Sequence, residues 1–167
     1  MTQASSVLIL GARGRFGLAA ARAFAQGGWQ VLGQVRPGAT GPAVPGVQWL
    51  AADPADTAAL AALGQGAQVV VHALNPPYTH RAWRTQAPAL MDAAIRISRA
   101  LGATLMLPGN VYNFGASMPA LLREETAQQA STVKGRIRIA LEQQLTAATA
   151  DGAMKAVVIR AGDFFGS

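Results

Sequence analysis

Apolar residues in this chain occur in short runs that alternate with longer stretches of helical periodicity. Ser6 to Leu10 predicts a short buried strand, and Gly14 to Gln26 predicts a helix that Gly27-Gly28 ends. Gln30 to Arg36 predicts a second strand, which the Pro/Gly-rich loop from Pro37 to Gly46 follows. The first part of the chain is therefore predicted to be a strand–helix–strand unit.

The same alternation continues along the rest of the chain. Further strands are predicted at 47–51, 67–73, 104–107 and 155–160. A short helix is predicted to begin at Asp53-Pro54, and longer helices are predicted at 81–101 and 132–150. This order predicts an α/β fold, a doubly wound parallel sheet of about six strands in the order 3-2-1-4-5-6 within three αβα layers. The segment from Pro108 to Ser131 is long for a connection and should lie at the carboxyl ends of the strands, where ligands bind.

A glycine-rich turn joins the first predicted strand to the first predicted helix. It reads Gly-Ala-Arg-Gly-Arg-Phe-Gly from Gly11 to Gly17, and in this context it is the fingerprint of a dinucleotide site. Gly11 permits the tight turn, Gly14 lets a pyrophosphate approach the backbone, and Gly17 lets the helix pack closely on the strand. The helix N-terminus offers N–H groups to the phosphates, so Arg15 and Phe16 join the candidate site. A glycine turn without a ligand is the disfavoured alternative.

The end of the second predicted strand carries an arginine where many NAD sites carry an acid. Residues 1–52 contain no Asp or Glu, and the segment there reads Gly-Gln-Val-Arg, ending at Arg36. We expect Arg36 and Arg13 to pair with a 2′-phosphate through their guanidinium groups, although a solvated surface charge is the alternative for each. The sequence therefore favours NADP(H) over NAD(H).

Two residues after later strands are secondary candidates for the cofactor site. Asp53 either hydrogen-bonds the adenine amino group or caps the helix ahead of Pro54, and both interpretations stay open. Asn75, which precedes Pro76-Pro77, either lies over the cofactor or belongs only to a rigid turn.

The sequence resembles the extended and atypical short-chain dehydrogenase/reductases, the NAD-dependent epimerase/dehydratase superfamily, over essentially its whole length. Beyond the glycine turn, the segment 69–74 (Val-Val-Val-His-Ala-Leu) is similar to the family's fourth strand. The segment 111–115 (Val-Tyr-Asn-Phe-Gly) is similar to its Val-Tyr-Gly segment, and 160–166 (Arg-Ala-Gly-Asp-Phe-Phe-Gly) to its turn into the substrate region. The resemblance implies a Rossmann fold that binds NAD(P), with Ala73 beside the cofactor.

The catalytic residues of that family are not kept in this chain. The family uses a Ser, a Tyr as general acid/base, and a Lys four residues after the Tyr. Alignment on Tyr112 puts the Ser position near Pro108, and alignment on Glu142 puts the Tyr and Lys positions on Lys134 and Arg138. We therefore do not expect conventional Tyr-driven hydride chemistry.

The segment 134–138 resembles the variant of an atypical subgroup, and it suggests other catalytic candidates. Asn110 offers a hydrogen-bond donor, Tyr112 a phenol, and Lys134 a positive charge or a proton near the nicotinamide. Two alternatives stay open, in which Tyr112 is a core aromatic and Lys134 is a solvated helix charge.

Composition narrows the class of protein. The 167 residues are 51% hydrophobic and are expected to form one domain. Without cysteine, disulfides and thiolate metal sites are excluded, and His72 and His80 are not expected to bind metal. The net charge is +6, but it is concentrated in the acid-free first 52 residues, which suits a small polyanion better than nucleic acid.

The chain as a whole is expected to be a cytoplasmic NAD(P)-binding domain spanning residues 1–167. No signal-peptide core or membrane span is apparent in the sequence. Extended family members continue past the Phe164-Phe165-Gly166 turn into a substrate-binding region, which is apparently absent here. A strand at 155–160 would lie at the edge of the sheet and expose unpaired backbone groups. Either the chain is a fragment of a longer protein, or a partner, such as a second copy in a homodimer, covers that edge. We favour the fragment.

Three functions are compatible with these observations. The first is the NADP(H)-binding domain of an oxidoreductase or epimerase, leaning towards an active enzyme, that acts on a small carbonyl or sugar-nucleotide-like substrate. The second is a non-catalytic NAD(P)-sensing regulatory or interaction protein, suggested by the missing Ser, Tyr and Lys. The third, an interaction module that uses the basic surface, is ranked last because the basic residues after position 52 are scattered among acids.

Overall fold

A computed structural model describes residues 4–162 and shows a parallel six-stranded sheet in the order β3-β2-β1-β4-β5-β6. The strands are β1 (Ser6–Leu10), β2 (Gln30–Val35), β3 (Val47–Ala51), β4 (Val69–His72), β5 (Thr104–Asn110) and β6 (Lys155–Ala161). The helices are α1 (Arg15–Gln26), α2 (Thr57–Leu63), α3 (His80–Leu101) and α4 (Val133–Ala148), with a 3₁₀ segment at Tyr112–Ser117. The predicted Rossmann-like αβα fold and its strand order are confirmed. The Asp163 to Gly166 part of the last resembling segment lies outside the described residues, as do residues 1–3.

The sheet has two apolar faces because side chains of a strand point alternately to opposite sides. On β1, Val7 and Ile9 pack with residues of α1, whereas Leu8 and Leu10 pack with residues of α2, α3 and α4. All four side chains are fully buried. This explains why the run reads as continuously apolar: a parallel central strand is covered on both faces.

The direction of the chain connections reverses beside β1, which pairs with β2 on one side and with β4 on the other. Ile9 lies opposite Gly33 of β2, and Leu10 lies opposite His72 of β4. The carboxyl ends of these three strands therefore meet at one edge of the sheet. In open α/β sheets a crevice forms at this switch point, and ligands bind there.

Two predicted boundaries differ from the structure by three residues or more. Strand β5 runs on to Asn110 instead of ending at 107, because Pro108 and Gly109 remain paired with Ile159 and Arg160 of β6. Helix α2 begins at Thr57 rather than at Asp53-Pro54, and the residue that caps it is Asp56, whose carboxylate accepts from Ala59 N–H at 3.0 Å. Within residues 4–162, none of the helices has the length and apolar character needed to cross a membrane.

Candidate functional site

The glycine turn between β1 and α1 is held by close backbone contacts. Gly11 has a φ of 77°, and Gly14 N–H donates to Gly11 C=O at 3.0 Å. A Cβ on Gly17 would collide with the carbonyl oxygen of Gly11 and with Cα of Ala12. The turn therefore tolerates only glycine at Gly17, because the atoms that a side chain would meet belong to the backbone.

Gln34 fixes the turn from the neighbouring strand, a role that sequence reasoning missed. Its Oε1 accepts from Gly11 N–H at 2.8 Å, and its Nε2 donates to the carbonyls of Val35 at 2.9 Å and Ala52 at 2.7 Å. The side chain is 1% exposed, so these bonds form away from water. A buried glutamine in an otherwise apolar strand was the available signal, since a buried amide needs partners.

The outer side of the turn is open, and the residues there fit a dinucleotide. Gly14 is the exposed N-cap of α1 and has no side-chain cap, and the first turn of the helix contains no acid. A Cβ at Gly14 would meet only Gly11 C=O, at 3.3 Å, so no side chain fills the space above the backbone. Arg13, Arg15 and Phe16 are exposed around it. A pyrophosphate could approach the helix N-terminus from this side.

Arg13 and Arg36 lie on the surface beside the same edge of the sheet. Ala12 N–H donates to Gln34 C=O at 3.1 Å, so the backbone before Arg13 adjoins the end of β2, two residues before Arg36. Both arginines are exposed. No carboxylate stands at the end of β2, where the residues are Gln34, Val35 and Arg36. A ligand phosphate at this edge would therefore meet positive charge.

The remaining cofactor candidates occupy different positions around the turn. Ala73 follows β4, and its N–H donates to Leu10 C=O at 3.0 Å, while its carbonyl would be 3.0 Å from a Cβ on Gly11. Asn75 is exposed just beyond it. Asp53 is exposed and its Oδ1 accepts from Ala55 N–H at 2.9 Å, so it does not cap α2. Asp56 caps the helix, so the helix-cap interpretation of Asp53 is wrong; the Asp53 carboxylate instead holds the turn before α2.

A second group of polar residues lies after β5. Asn110 is buried, and its Oδ1 accepts from the Tyr112 N–H at 3.0 Å. Tyr112 is 42% exposed, so the interpretation of this residue as a core aromatic is wrong. Asn110 thus shapes the turn that presents Tyr112 at the surface.

A hydrogen-bond network ties this turn to α4 and β6, and it was not predicted. Glu142 of α4 accepts both guanidinium ends of Arg160, at 2.7 and 2.5 Å, and it also accepts from Asn113 at 2.9 Å and from Gln128 at 2.8 Å. Arg160 also donates to Asn110 C=O at 3.2 Å. The partners are far apart in sequence, so no local pattern could reveal the network.

Helix α4 packs tightly against the turn at its first residues. Thr132 caps the helix by accepting from Gly135 N–H at 3.0 Å. A Cβ on Gly135 would collide with the carbonyl oxygen of Tyr112, so this glycine permits the close approach. Lys134 and Arg138 are consequently brought close to the start of α3 and the turn before it.

Two of the three cations of α4, Lys134 and Arg138, lie over aromatic rings. Lys134 Nζ lies over the ring of Tyr78, and it is 5.4 Å from the ring centre of Trp83. Arg138 Cζ is 5.0 Å from the ring centre of Trp83. Both cations are half-buried, so the interpretation of Lys134 as a solvated helix charge is wrong.

Burial changes the acid–base properties of this region. Desolvation lowers the pKa of Arg138 below its ordinary value, and the nearby Tyr112, Tyr78 and Glu142 partly offset that effect. Desolvation, with a smaller contribution from the charge of Arg138, lowers the pKa of His72 to about 4. The imidazole is therefore neutral at pH 7, and its Nδ1 has no hydrogen-bond partner among the described residues. Within residues 4–162, no three His, Asp or Glu side chains come together as a metal site.

The structure thus separates the candidates into two neighbouring groups. The glycine turn, Arg13, Arg36 and Ala73 surround the ends of β1, β2 and β4. Tyr112 and Lys134 lie near the end of β5 and the start of α4. The carboxyl edge of an open α/β sheet is where ligands bind.

Comparison with known proteins gives a family and a fold. A model of the NAD dependent epimerase/dehydratase family matches residues 7–167. The chain has no match among the curated proteins.

Similar solved structures come from several bacteria. UDP-glucose 4-epimerase from Brucella ovis, in complex with NAD, has a TM-score of 0.78 and 18% identity over 94% of this chain and 51% of its own. WbmG from Bordetella bronchiseptica, in complex with NAD and UDP, has a TM-score of 0.73 and 18% identity over 95% and 53%. Glucuronic acid dehydrogenase from Chromohalobacter salexigens has a TM-score of 0.77 and 17% identity over 98% and 62%. The chain therefore spans little more than half the length of these structures.

Proposed function

The chain belongs to the NAD-dependent epimerase/dehydratase family, and on that premise we propose that residues 1–167 form the nucleotide-binding domain of an oxidoreductase or epimerase. The nucleotide is a nicotinamide dinucleotide, as it is in two of the similar structures. The second substrate is a carbonyl compound or a sugar-nucleotide-like molecule. The nicotinamide, when bound, supplies or accepts the hydride.

The observation that carries this proposal is the geometry of the glycine turn. Gly11 has the positive φ that the turn needs, Gly17 packs without a side chain against it, and Gly14 leaves its outer side open. Gln34 stabilises the turn by accepting from Gly11 N–H, and two buried hydrogen bonds to the carbonyls of Val35 and Ala52 hold its amide in place. Such a preformed cradle at a helix N-terminus binds a pyrophosphate without rearrangement.

The preferred nucleotide in this proposal is NADP(H). Two similar structures contain NAD, but at less than 20% identity they do not determine the residues at the ribose. In this chain Arg36 follows β2 and Arg13 lies beside it, with no acid to accept a 2′-hydroxyl. A guanidinium favours a 2′-phosphate, which an acid at the same place would repel.

The residues near the nicotinamide define what this chain can contribute to a reaction. Tyr112 presents an exposed phenol, which Asn110 positions through the Tyr112 N–H. Lys134 and Arg138 supply positive charge where a family member would carry its Tyr and Lys. We assign Tyr112 as the candidate proton donor and Lys134 as the candidate electrostatic stabiliser.

A nucleotide sensor is the second candidate function, and one observation favours it. Lys134 lies over Tyr78 instead of pointing freely into the site, so the usual catalytic pair has no direct substitute there. Incubation of the full-length protein with NADPH and a panel of aldehydes separates the two functions. Substrate-dependent oxidation of NADPH would rule out the sensor.

Calorimetric titration with NADPH and NADH at one fixed salt concentration tests the proposed cofactor. We expect tighter binding of NADPH, and loss of about tenfold of that preference in Arg13→Ala and in Arg36→Ala. Arg22→Ala is the matched control, because Arg22 is an exposed arginine of α1 outside the glycine turn. Absence of binding by either nucleotide would refute the proposed function, and equal binding of both would refute only the NADP(H) preference.

A further inference from the structure

A cluster of nitrogen-bearing side chains lies between α3 and α4, next to the end of β4, and we call it the donor cluster. It consists of His72, Trp83, Lys134 and Arg138. Arg138 lies over Trp83, Lys134 is also close to that ring, and Arg138 contributes to the lowered pKa of His72. The proposed function uses the positive charge of Lys134 and Arg138, but it leaves His72 and Trp83 without a role.

In the described part of the chain, the positive charge of the donor cluster has no dedicated counter-ion. Lys134 and Arg138 are one turn apart on α4, where like charges repel each other. Neither forms a salt bridge with any residue between 4 and 162. Glu142 is near enough to raise the pKa of Arg138, but both its carboxylate oxygens are bound by Arg160. The charge is therefore available to a ligand.

Two buried N–H groups of the donor cluster also lack an acceptor among residues 4–162. Trp83 is 4% exposed and its Nε1 has no partner in that range, and Arg138 Nε is likewise buried without one. A buried donor without an acceptor destabilises the folded protein. Indole and guanidinium groups can only donate, so the complementary partner is a group that only accepts.

We propose that the donor cluster binds a carboxylate carried by the second substrate. A carboxylate has only acceptor oxygens and one negative charge, and it matches the planar edge of a guanidinium. A phosphate would also accept, but its greater charge is harder to desolvate against the rings of Tyr78 and Trp83. The inference rests on the proposed function, because it names the substrate class of the same site.

The surroundings leave room for the rest of such a molecule. A Cβ on Gly135, the residue after Lys134, would collide with the Tyr112 carbonyl oxygen, so the residue that carries the exposed phenol packs against the start of α4. A cavity of about 300 Å³ opens beside Tyr112, between Met118 and Thr132. Tyr112 lines this cavity, so a substrate with its carboxylate on Arg138 would extend past Tyr112 to place its uncharged part there.

Nuclear magnetic resonance of the Trp83 indole tests the inference without any turnover. The probes are D-glucuronate, the uncharged D-glucose and inorganic phosphate, each added with and without saturating NADPH. The Trp83 Nε1–H resonance is assigned by its absence in Trp83→Phe. We expect glucuronate to shift this resonance downfield, because the N–H gains an acceptor, and glucose to leave it in place.

Matched variants locate the binding to the donor cluster. Arg138→Gln should weaken glucuronate binding by about tenfold or more, since a charged hydrogen bond is lost. Arg136→Gln removes the same charge from an exposed position of the same helix and should leave the affinity within about twofold.

Each outcome of this experiment decides the inference. No shift with glucuronate in either condition, an equal shift with glucose, or equal losses in the two variants would overturn it. Tighter binding of phosphate than of glucuronate would also overturn it, because the site would then prefer a phosphoryl group. The measurement without NADPH stands even if the nucleotide titration fails, so failure of the proposed function and failure of this inference are distinguishable.

Discussion

At the scale of single residues, the buried His72 makes stability depend on pH. The imidazole is 7% exposed, and burial lowers its pKa from 6.5 to about 4. Between these two values the unfolded chain binds the proton and the folded chain does not. Acidification through this range therefore favours unfolding, and the stability is fully present only above pH 6.5.

We predict that His72 alone lowers the free energy of unfolding by roughly 2 kcal/mol between pH 7.5 and pH 5. Urea unfolding at both pH values, followed by circular dichroism, measures the change. His72→Leu should abolish most of this difference, whereas His80→Leu, at an exposed position at the start of α3, should retain it. Identical pH dependence in wild type and His72→Leu would show that the histidine is not held neutral.

The sequence predicted the roles of residues that a local motif identifies. It did not predict the roles of residues whose hydrogen-bond partners are distant in sequence. The glycines of the turn were assigned correctly to a strand–helix junction, because spacing and context are local. From the sequence, Gln34 was notable only because it is not an acid, although its buried side-chain amide accepts a hydrogen bond from Gly11 N–H. Whether Arg13 and Arg36 bind a phosphate remains a prediction.

At the scale of elements, the Glu142–Arg160 pair joins α4 to β6 and to the turn after β5. Both side chains are mostly buried, with 12% and 26% exposure, and Glu142 also accepts from Asn113 and Gln128. Removing Arg160 leaves the carboxylate of Glu142 largely buried without its charged partner. Loss of one partner of a buried pair is more damaging than loss of a surface pair.

We predict that Arg160→Met lowers the free energy of unfolding by about 3 kcal/mol. Arg99→Met is the control, since it removes an equally well-formed ion pair with Asp151 that lies on the surface, and it should change stability little. Chemical denaturation of both variants gives the comparison. Equal effects would mean that the network contributes no more than a surface contact.

The predicted boundaries of strands and helices were accurate where nearby residues determine them and wrong where contacts with distant residues do. Strands β1 and β3 begin and end where the sequence predicts, because their apolar runs are bounded by clear turn residues. The extension of β5 to Asn110 was missed because Pro108 and Gly109 disfavour a strand locally, and only pairing with β6 keeps them in one. The shift of α2 to Thr57 arises because Asp56, not Asp53, caps it.

At the scale of the whole molecule, the charge distribution favours a nucleotide over nucleic acid as the proposed polyanionic ligand. The chain carries a net charge of +6, and its first 52 residues contain four arginines and no acid. Arg13 and Arg36 are exposed, so their attraction to a 2′-phosphate is screened by salt. NADH lacks that phosphate, so its affinity should depend less on the salt concentration.

We predict that raising the salt concentration from 50 to 500 mM reduces the affinity for NADPH several-fold more than that for NADH, since the Debye length falls from about 14 to about 4 Å. Titration of wild type at both concentrations tests this, and in Arg36→Ala the two nucleotides should respond alike. Arg22→Ala keeps the wild-type difference if the effect is local to the glycine turn. A rival nucleic-acid function requires salt-dependent binding of a DNA duplex that persists at saturating NADPH, so displacement of any bound duplex by NADPH would assign the basic surface to the nucleotide.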